Sequence, residues 1–211
     1  MAYDLTDFHP NVVVDAPGAP TSLITLALLA SLTEFCRLSK AWVADIGPLT
    51  TIADIRKYTL SPPTNSRVHT ILRVTYDDKR LDPSSDELIN QDAHNYLDRT
   101  GTPKVYVKES GDEVSFYPVP STTAVNIIQM KAALMPILTA TTIDENLADN
   151  YSEIIVAGAL YRLLQQKSRA WYDPQRAAEC KDVYYSGIAE AKSTAQLDHT
   201  PKKRVMRYGG L

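Results

Sequence analysis

The chain is short of the residues that reactive sites and covalent crosslinks require. It has only 2 cysteines, Cys36 and Cys180. That number excludes a disulfide framework, and both lie in apolar helical patterns typical of buried free thiols. The 8 glycines form no G-x-x-x-x-G-K-[ST] or G-x-G-x-x-G loop for phosphate, and no G-x-S-x-G is present. The 4 histidines are too scattered for a zinc site. The sequence therefore predicts no cofactor, no metal and no enzyme activity.

Long apolar runs are also scarce, and the one at residues 23–32 is too short to cross a bilayer. Glu34, Arg37 and Lys40 follow it at once, whereas a span needs roughly 20 apolar residues. The residues before it contain no Lys or Arg, so it lacks the basic region of a signal peptide. We expect a core or interface helix of a cytosolic protein and no membrane partner.

Basic charge is concentrated at the end of the chain. The formal net charge is −3, and residues 202 to 207 carry 4 basic groups and no acid. Subtracting these 4 charges from −3 leaves −7 for the remainder, so the body repels nucleic acid at long range. The segment 200–211 is the basic tail. Its charged and apolar residues are Lys202, Lys203, Arg204, Val205, Met206, Arg207 and Tyr208.

The basic tail has several interpretations. It could be a solubilising disordered end, which is common at chain termini. It could bind DNA weakly through about four released counterions, or bind an anionic membrane marginally. It could also insert into a partner protein, with Val205, Met206 and Tyr208 as apolar anchors and the basic residues setting the register. The interleaving of charged and apolar residues favours this last interpretation.

The first half of the chain predicts an arm, a helix and a strand. Residues 1–20 are acidic and rich in proline, with Val12–Val14 as the only strand-like piece, which indicates an extended arm. Thr21 or Ser22 is expected to cap a long helix that reaches about Val43. Residues 68–76 are typical of a strand, and Ser84 with Glu87 forms a capping box for a short helix ending near Tyr96.

The second half predicts three strands followed by two helices. Residues 105–109, 114–117 and 125–131 are read as an antiparallel β-meander, because strands that are neighbours in sequence usually pair. A helix follows over 147–167. The chain then turns at Trp171, and Asp173 as N-cap with Pro174 at the first helical position starts the last helix.

These elements predict an α+β fold in which the long N-terminal helix and the C-terminal helix pair form a bundle beside the meander. Three segments are expected: an extended N-terminal arm over 1–20, a single α+β domain over 21–199, and the basic C-terminal tail as a second extended arm. The β-region would be inserted at about 65–132.

Three groups of residues resemble tailed-bacteriophage head-to-tail adaptor proteins, which are also called head completion or connector proteins. They are Phe116–Pro120 with the returning strand, Tyr151–Leu164 with Trp171–Pro174 and the following helix, and Leu32–Arg37 with Trp42. The resemblance runs from about residue 20 to residue 195, and the order and spacing of the motifs carry it. The segment around 77–103 and the N-terminal arm depart from the family pattern.

The resemblance implies a structural protein of the virion at the head–tail junction, assembled in the host cytoplasm. It implies a ring of adaptor subunits with the portal's twelvefold symmetry, a bundle facing portal and neighbours, and a C-terminal extension that grips the portal. A downstream tail or nozzle protein would bind below, and packaged DNA would pass through the lumen without specific binding. The alternatives are another neck protein such as a stopper or tail terminator, or a small accessory protein that binds DNA or a membrane through the basic tail. A cytosolic enzyme is a further alternative, with no candidate residue.

Overall fold

The N-terminal residues fold onto the body of the protein instead of forming an extended arm. The computed structural model describes residues 2–85, 87–89 and 99–199, without the side chains of 197–199. Strand β1 (Ala2–Asp4) leads into a 3-10 helix (Leu5–Phe8) and then helix α1 (His9–Asp15). Leu5, Phe8 and Val12 are all buried. The expected extended arm is therefore wrong, because apolar residues three and four apart form a helical stripe that the core covers.

Helix α2 (Thr21–Ser39) runs through the core. It ends earlier than the predicted Val43, because Lys40 takes the left-handed conformation with φ 57° and its N–H donates to the Cys36 carbonyl. The predicted cap by Thr21 or Ser22 is wrong, since the helix starts directly after Pro20 without a side-chain cap. By length and composition alone α2 could cross a membrane. In this fold Leu28, Leu32 and Phe35 are completely buried within the protein.

Two further helices complete the helical layer. Helix α3 (Glu145–Leu164) begins where the Asp144 carboxylate accepts from the Asn146 N–H, and helix α4 (Pro174–His199) follows after a short corner. Gly158 of α3 lies against Tyr184 of α4, and Gly187 of α4 lies against Ile154 of α3. The two helices are therefore antiparallel. Helix α2 packs on both of them, so the helical layer consists of α2, α3 and α4.

The larger sheet lies against α2 and is antiparallel, in the order β2-β11-β4-β5. Its strands are β2 (Val43–Thr51), β4 (Ser66–Tyr76), β5 (Lys79–Arg80) and β11 (Ala124–Pro136). The patterns did not predict β2, because Gly47 and Pro48 interrupt it and Pro48 lacks an N–H for the ladder. The sheets also draw on residues before the expected start near 65.

The predicted three-strand meander is wrong at its third strand. The second sheet consists, in this order, of β3 (Lys57–Thr59), β9 (Glu113–Tyr117), β8 (Val105–Lys108) and β6 (Asp82–Pro83). Its antiparallel hairpin joins β8 to β9. Strand β11 instead pairs with β2 and β4 in the larger sheet. Pro118 and Pro120 have no N–H to donate, and the Val119 N–H donates to the Arg99 carbonyl, so the chain leaves the hairpin sheet there.

Two short strand pairs complete the structure. The fold belongs to the α+β class, as predicted. Strand β12 (Thr142–Asp144) pairs with β1, and β10 (Val119–Pro120) pairs with β7 (Thr100–Gly101). At the predicted capping box, the Ser85 hydroxyl accepts from the Leu88 N–H, at 3.4 Å, where Ser84 was expected. The remainder of that predicted helix, from 90 to Tyr96, lies outside the described residues.

Candidate functional site

The described histidines and cysteines, which the sequence raised as candidates for chemistry, do not cluster. The His9 ring is hydrogen bonded to the Thr25 hydroxyl at 2.9 Å. The His69 ring is half-buried near the backbone of Arg37. Among the residues that the structure describes, no group of three or more His, Cys, Asp or Glu side chains could hold a metal ion.

Both cysteines are buried free thiols, as the helical pattern predicts. Cys36 is 0% exposed and Cys180 is 5% exposed. Burial raises the pKa of both thiols, because the charged thiolate loses its hydration. A thiol held in its neutral form is a poor nucleophile. Neither position is suited to covalent chemistry, and both side chains serve as packing groups.

The corner between α3 and α4 brings three predicted residues together. Asp173 accepts hydrogen bonds from the N–H groups of Gln175 and Arg176, at 3.1 and 3.0 Å, and Pro174 is the first residue of α4. Trp171 is 8% exposed, and its Nε1 has no hydrogen-bond partner among the described residues. This arrangement ends one helix and starts the next within a few residues.

Outside the corner itself, Arg176 links α4 to the N-terminal segment. Its guanidinium pairs with Asp15 of α1 at 3.3 Å and with Glu179 at 3.0 Å. These exposed ion pairs raise the pKa of Arg176, through Glu179 first and then Asp15. The contact places the end of α1 beside the start of α4.

A polar network crosses the centre of the helical layer, and the sequence patterns did not reveal it. The Tyr184 hydroxyl donates to the Ser31 carbonyl at 2.7 Å, and the Ser31 hydroxyl donates to the Ile155 carbonyl at 2.8 Å. Glu34 forms an ion pair with Arg162 and accepts from the Tyr185 hydroxyl. Burial raises the pKa of Tyr184 to about 12. All three helices are thus joined by hydrogen bonds as well as by apolar contact.

Two glycines allow the close approach of α3 and α4 that this network needs. A Cβ on Gly158 would lie 2.2 Å from the Ser31 Oγ and 2.5 Å from the Tyr184 ring. A Cβ on Gly187 would lie 2.5 Å from the Ile154 side chain. A pair of small residues on facing helices was the available sequence signal. Its meaning depends on which residues face each other, and that information comes only from the fold.

The predicted docking residues of the basic tail, Lys202 to Tyr208, lie outside the described residues. The described chain ends with α4 at His199. The part of the candidate site that can be placed is therefore the helical layer from which the basic tail continues.

The helical layer is joined internally by hydrogen bonds and lies against the larger sheet. Its elements also follow the order that resembles phage head-to-tail adaptors. The family model of the SU10 adaptor protein matches residues 6–206, and the chain belongs to this family of structural phage adaptors. The match confirms the resemblance that the sequence motifs carried. A comparison with curated proteins found no match.

Proposed function

We propose that this protein is a structural component of the virion that joins the portal to the tail at the head–tail junction. The observation that carries the proposal is the match to the SU10 adaptor family over residues 6–206, which takes in almost the whole chain. In this function the protein is not an enzyme. Its work is to bind proteins on two sides and to help retain the packaged DNA.

The basic tail is the proposed portal-binding element. Its four positive charges suit an acidic partner surface, and its Val205, Met206 and Tyr208 suit apolar pockets between those charges. Helix α4 is anchored in the core through Ala177, Tyr184 and Ile188, all before the basic tail begins. We therefore expect a chain that ends at residue 199 to keep this anchored part of α4.

The proposed assembly is a ring of twelve subunits that copies the symmetry of the portal. Contacts between neighbours would form when the portal orders the basic tail, because ordering a segment consumes part of the interface free energy. The body carries a charge of −7 without the basic tail, which suits a lumen through which DNA slides without specific binding. The lower face would bind a tail or nozzle protein.

Co-sedimentation with portal rings tests this function. The full-length protein and a chain ending at residue 199 are each mixed with portal rings from the same source, and the bound fraction is measured. We expect the full-length protein to sediment with the portal and the truncated chain to remain in the supernatant. Circular dichroism confirms that both are folded, so that loss of binding is not loss of structure. A truncated chain that binds as well as the full-length protein would refute the role of the basic tail.

A stopper or tail terminator is disfavoured by the three long helices α2, α3 and α4, since those ring proteins are generally built on β-barrels. An accessory DNA-binding protein is separated from the adaptor by titration with duplex DNA. Four phosphate contacts would give binding that falls steeply with salt. If the intact folded protein ignores the portal but binds duplex DNA at moderate salt, the adaptor function is refuted.

A further inference from the structure

A cavity lies at the end of the helical layer where α2 and α4 both approach their C-termini. Its volume is about 570 Å³. The lining comes from three elements: the end of α2, strand β4 and the last turns of α4. The residues that line it are Arg37, Leu38, Ser39, Lys40, Leu72, Lys192, Ala195 and Gln196. We call Arg37, Lys40 and Lys192 the cationic rim.

The charges of the cationic rim are not neutralised within the described part of the chain. None of these lining residues is acidic. The ion pairs found among the described residues use Lys57, Arg162 and Arg176 as their cations, and none uses the rim. Within the described residues, three cations thus line one cavity without an ion-pair partner, in a body that is acidic overall.

The pKa of His69 responds to the positive charges of this rim. His69 lies on β4, the strand that also contributes Leu72 to the cavity. Its pKa is lowered first by burial and then by the positive charges of Lys40, Lys108 and Arg37, while a hydrogen bond to the Arg37 backbone opposes the shift. The shift places the His69 ring close to Lys40 and Arg37 of the rim. The ring also provides a spectroscopic probe beside the cavity.

The floor of the cavity distinguishes a protein ligand from a nucleic acid. Its apolar lining residues are Leu38 and Leu72, which are half-buried, and Ala195, which is buried. An apolar floor beneath a cationic rim suits a peptide whose apolar side chain enters the cavity while adjacent carboxylates meet the rim. The phosphates of a DNA backbone would pair with the rim cations, but they would not bury the apolar residues of the cavity.

The geometry points to this cavity as a docking site for an acidic peptide segment with apolar side chains. The cavity includes Lys192 and Gln196 of α4, and its rim makes this end of the helical layer positively charged. We call this the cationic end. The acidic peptide chemistry follows from the cavity itself. Assigning the segment to the portal rests on the proposed function.

Portal binding provides the first test. The triple variant Arg37→Gln, Lys40→Gln and Lys192→Gln keeps long polar side chains and removes the rim charges. A matched control, Arg67→Gln, Lys79→Gln and Arg80→Gln, removes three exposed charges elsewhere. We expect the rim variant to bind portal rings about tenfold more weakly; tenfold corresponds to about 1.4 kcal/mol, which three exposed ion pairs together can supply. The control is expected to bind like the wild type.

A peptide titration tests the cavity without the portal. The probe is a synthetic Glu-Leu-Asp-Leu-Glu peptide with blocked ends, and its control is the neutral Gln-Leu-Asn-Leu-Gln peptide. We expect the acidic peptide alone to perturb the NMR signals of the His69 ring and to raise its pKa, because carboxylates offset the field of Lys40. The rim variant is expected to lose this response.

The outcomes separate the cavity from the proposed function. If wild-type protein ignores the portal but the acidic peptide still moves the His69 signals, the cavity inference stands and the adaptor function fails. If wild type binds the portal and the rim variant binds equally well, the inference is overturned and the adaptor function stands. If duplex DNA displaces the acidic peptide at moderate salt, or the neutral peptide binds equally well, the inference is also overturned.

Discussion

The two ends of the helical layer differ in whether their charged side chains are paired. We call the end with the turn between α3 and α4 the corner end, and we compare it with the cationic end. At the corner end, Asp173 caps α4 and Arg176 is paired with Asp15 and Glu179. At the cationic end, the rim residues Arg37 and Lys40 surround a cavity without an ion-pair partner among the described residues. The charged side chains at the corner end are paired with one another, and those of the rim remain available for the proposed ligand.

The polar network at the centre of the helical layer joins the helices without any contribution from the charges of the rim. The hydrogen bonds of Tyr184 and Ser31, with the ion pair of Glu34 and Arg162, already join the three helices. Additional ion pairs at the cationic end are not needed to hold it in place. The following predictions test whether stability decreases from the corner and centre toward the cationic end.

The largest effect is expected at the corner end. Trp171→Ala should lower the free energy of unfolding by about 3–5 kcal/mol, since it removes a buried indole and leaves a cavity. Urea unfolding measures this change. Trp171→Phe is the control: it keeps most of the packing and removes the unpartnered Nε1, so its loss should be less than half as large. Equal losses for both variants would contradict the packing role.

The crossing of α3 and α4 should give the next largest effect. Gly158→Ala places a Cβ against the Ser31 hydroxyl and the Tyr184 ring, and both are held by hydrogen bonds. We expect a loss of about 2 kcal/mol, because overpacking exceeds the gain in helix propensity. Gly101→Ala is the matched control, since its Cβ would meet only Pro118 at 3.7 Å. Similar thermal midpoints for both variants would show that the crossing can relax.

The central network should give a smaller effect with a distinct pH dependence. Tyr184→Phe is expected to cost about 1 kcal/mol at neutral pH, since it removes one buried hydrogen bond. The pKa of Tyr184 is raised to about 12 in the folded state, against 10.0 ordinarily. Folding therefore favours the neutral phenol, and its contribution to stability is lost as the pH rises from about 10 to 12.

Urea unfolding between pH 7 and pH 11 measures this difference. The cost of Tyr184→Phe should shrink as the pH rises, and the two stability curves should converge. Tyr172→Phe, at a side chain that is 42% exposed, is the control and should leave stability unchanged. A constant difference between wild type and Tyr184→Phe across this range would contradict the role assigned to the buried hydroxyl.

The smallest effect is expected at the cationic end. The rim variant Arg37→Gln, Lys40→Gln and Lys192→Gln should change the free energy of unfolding by less than about 0.5 kcal/mol, because exposed unpaired charges contribute little to folding. Chemical denaturation of the rim variant beside the wild type measures it. A loss above 2 kcal/mol would mean that the rim holds the fold, and the contrast between the two ends would disappear.

Local sequence patterns predicted the elements that depend on nearby residues. The corner with Asp173 and Pro174, the hairpin over Val105–Tyr117 and the burial of both cysteines follow from capping, turn and periodicity signals. The N-terminal segment was misread because its prolines hid the helical spacing of Leu5, Phe8 and Val12.

Strand pairing, the central network and the cavity could not be predicted in the same way. Strand β11 pairs with β2 and β4, which lie far from it in sequence, and no local signal specifies such partners. Glu34 and Arg162 are likewise distant in sequence, and so are Arg37 and Lys192. What the sequence alone determined is the helical layer's elements, the acidic body and the basic tail. Only the tertiary structure decided which charges are paired and which surround an open cavity, since pairing requires side chains to meet in space.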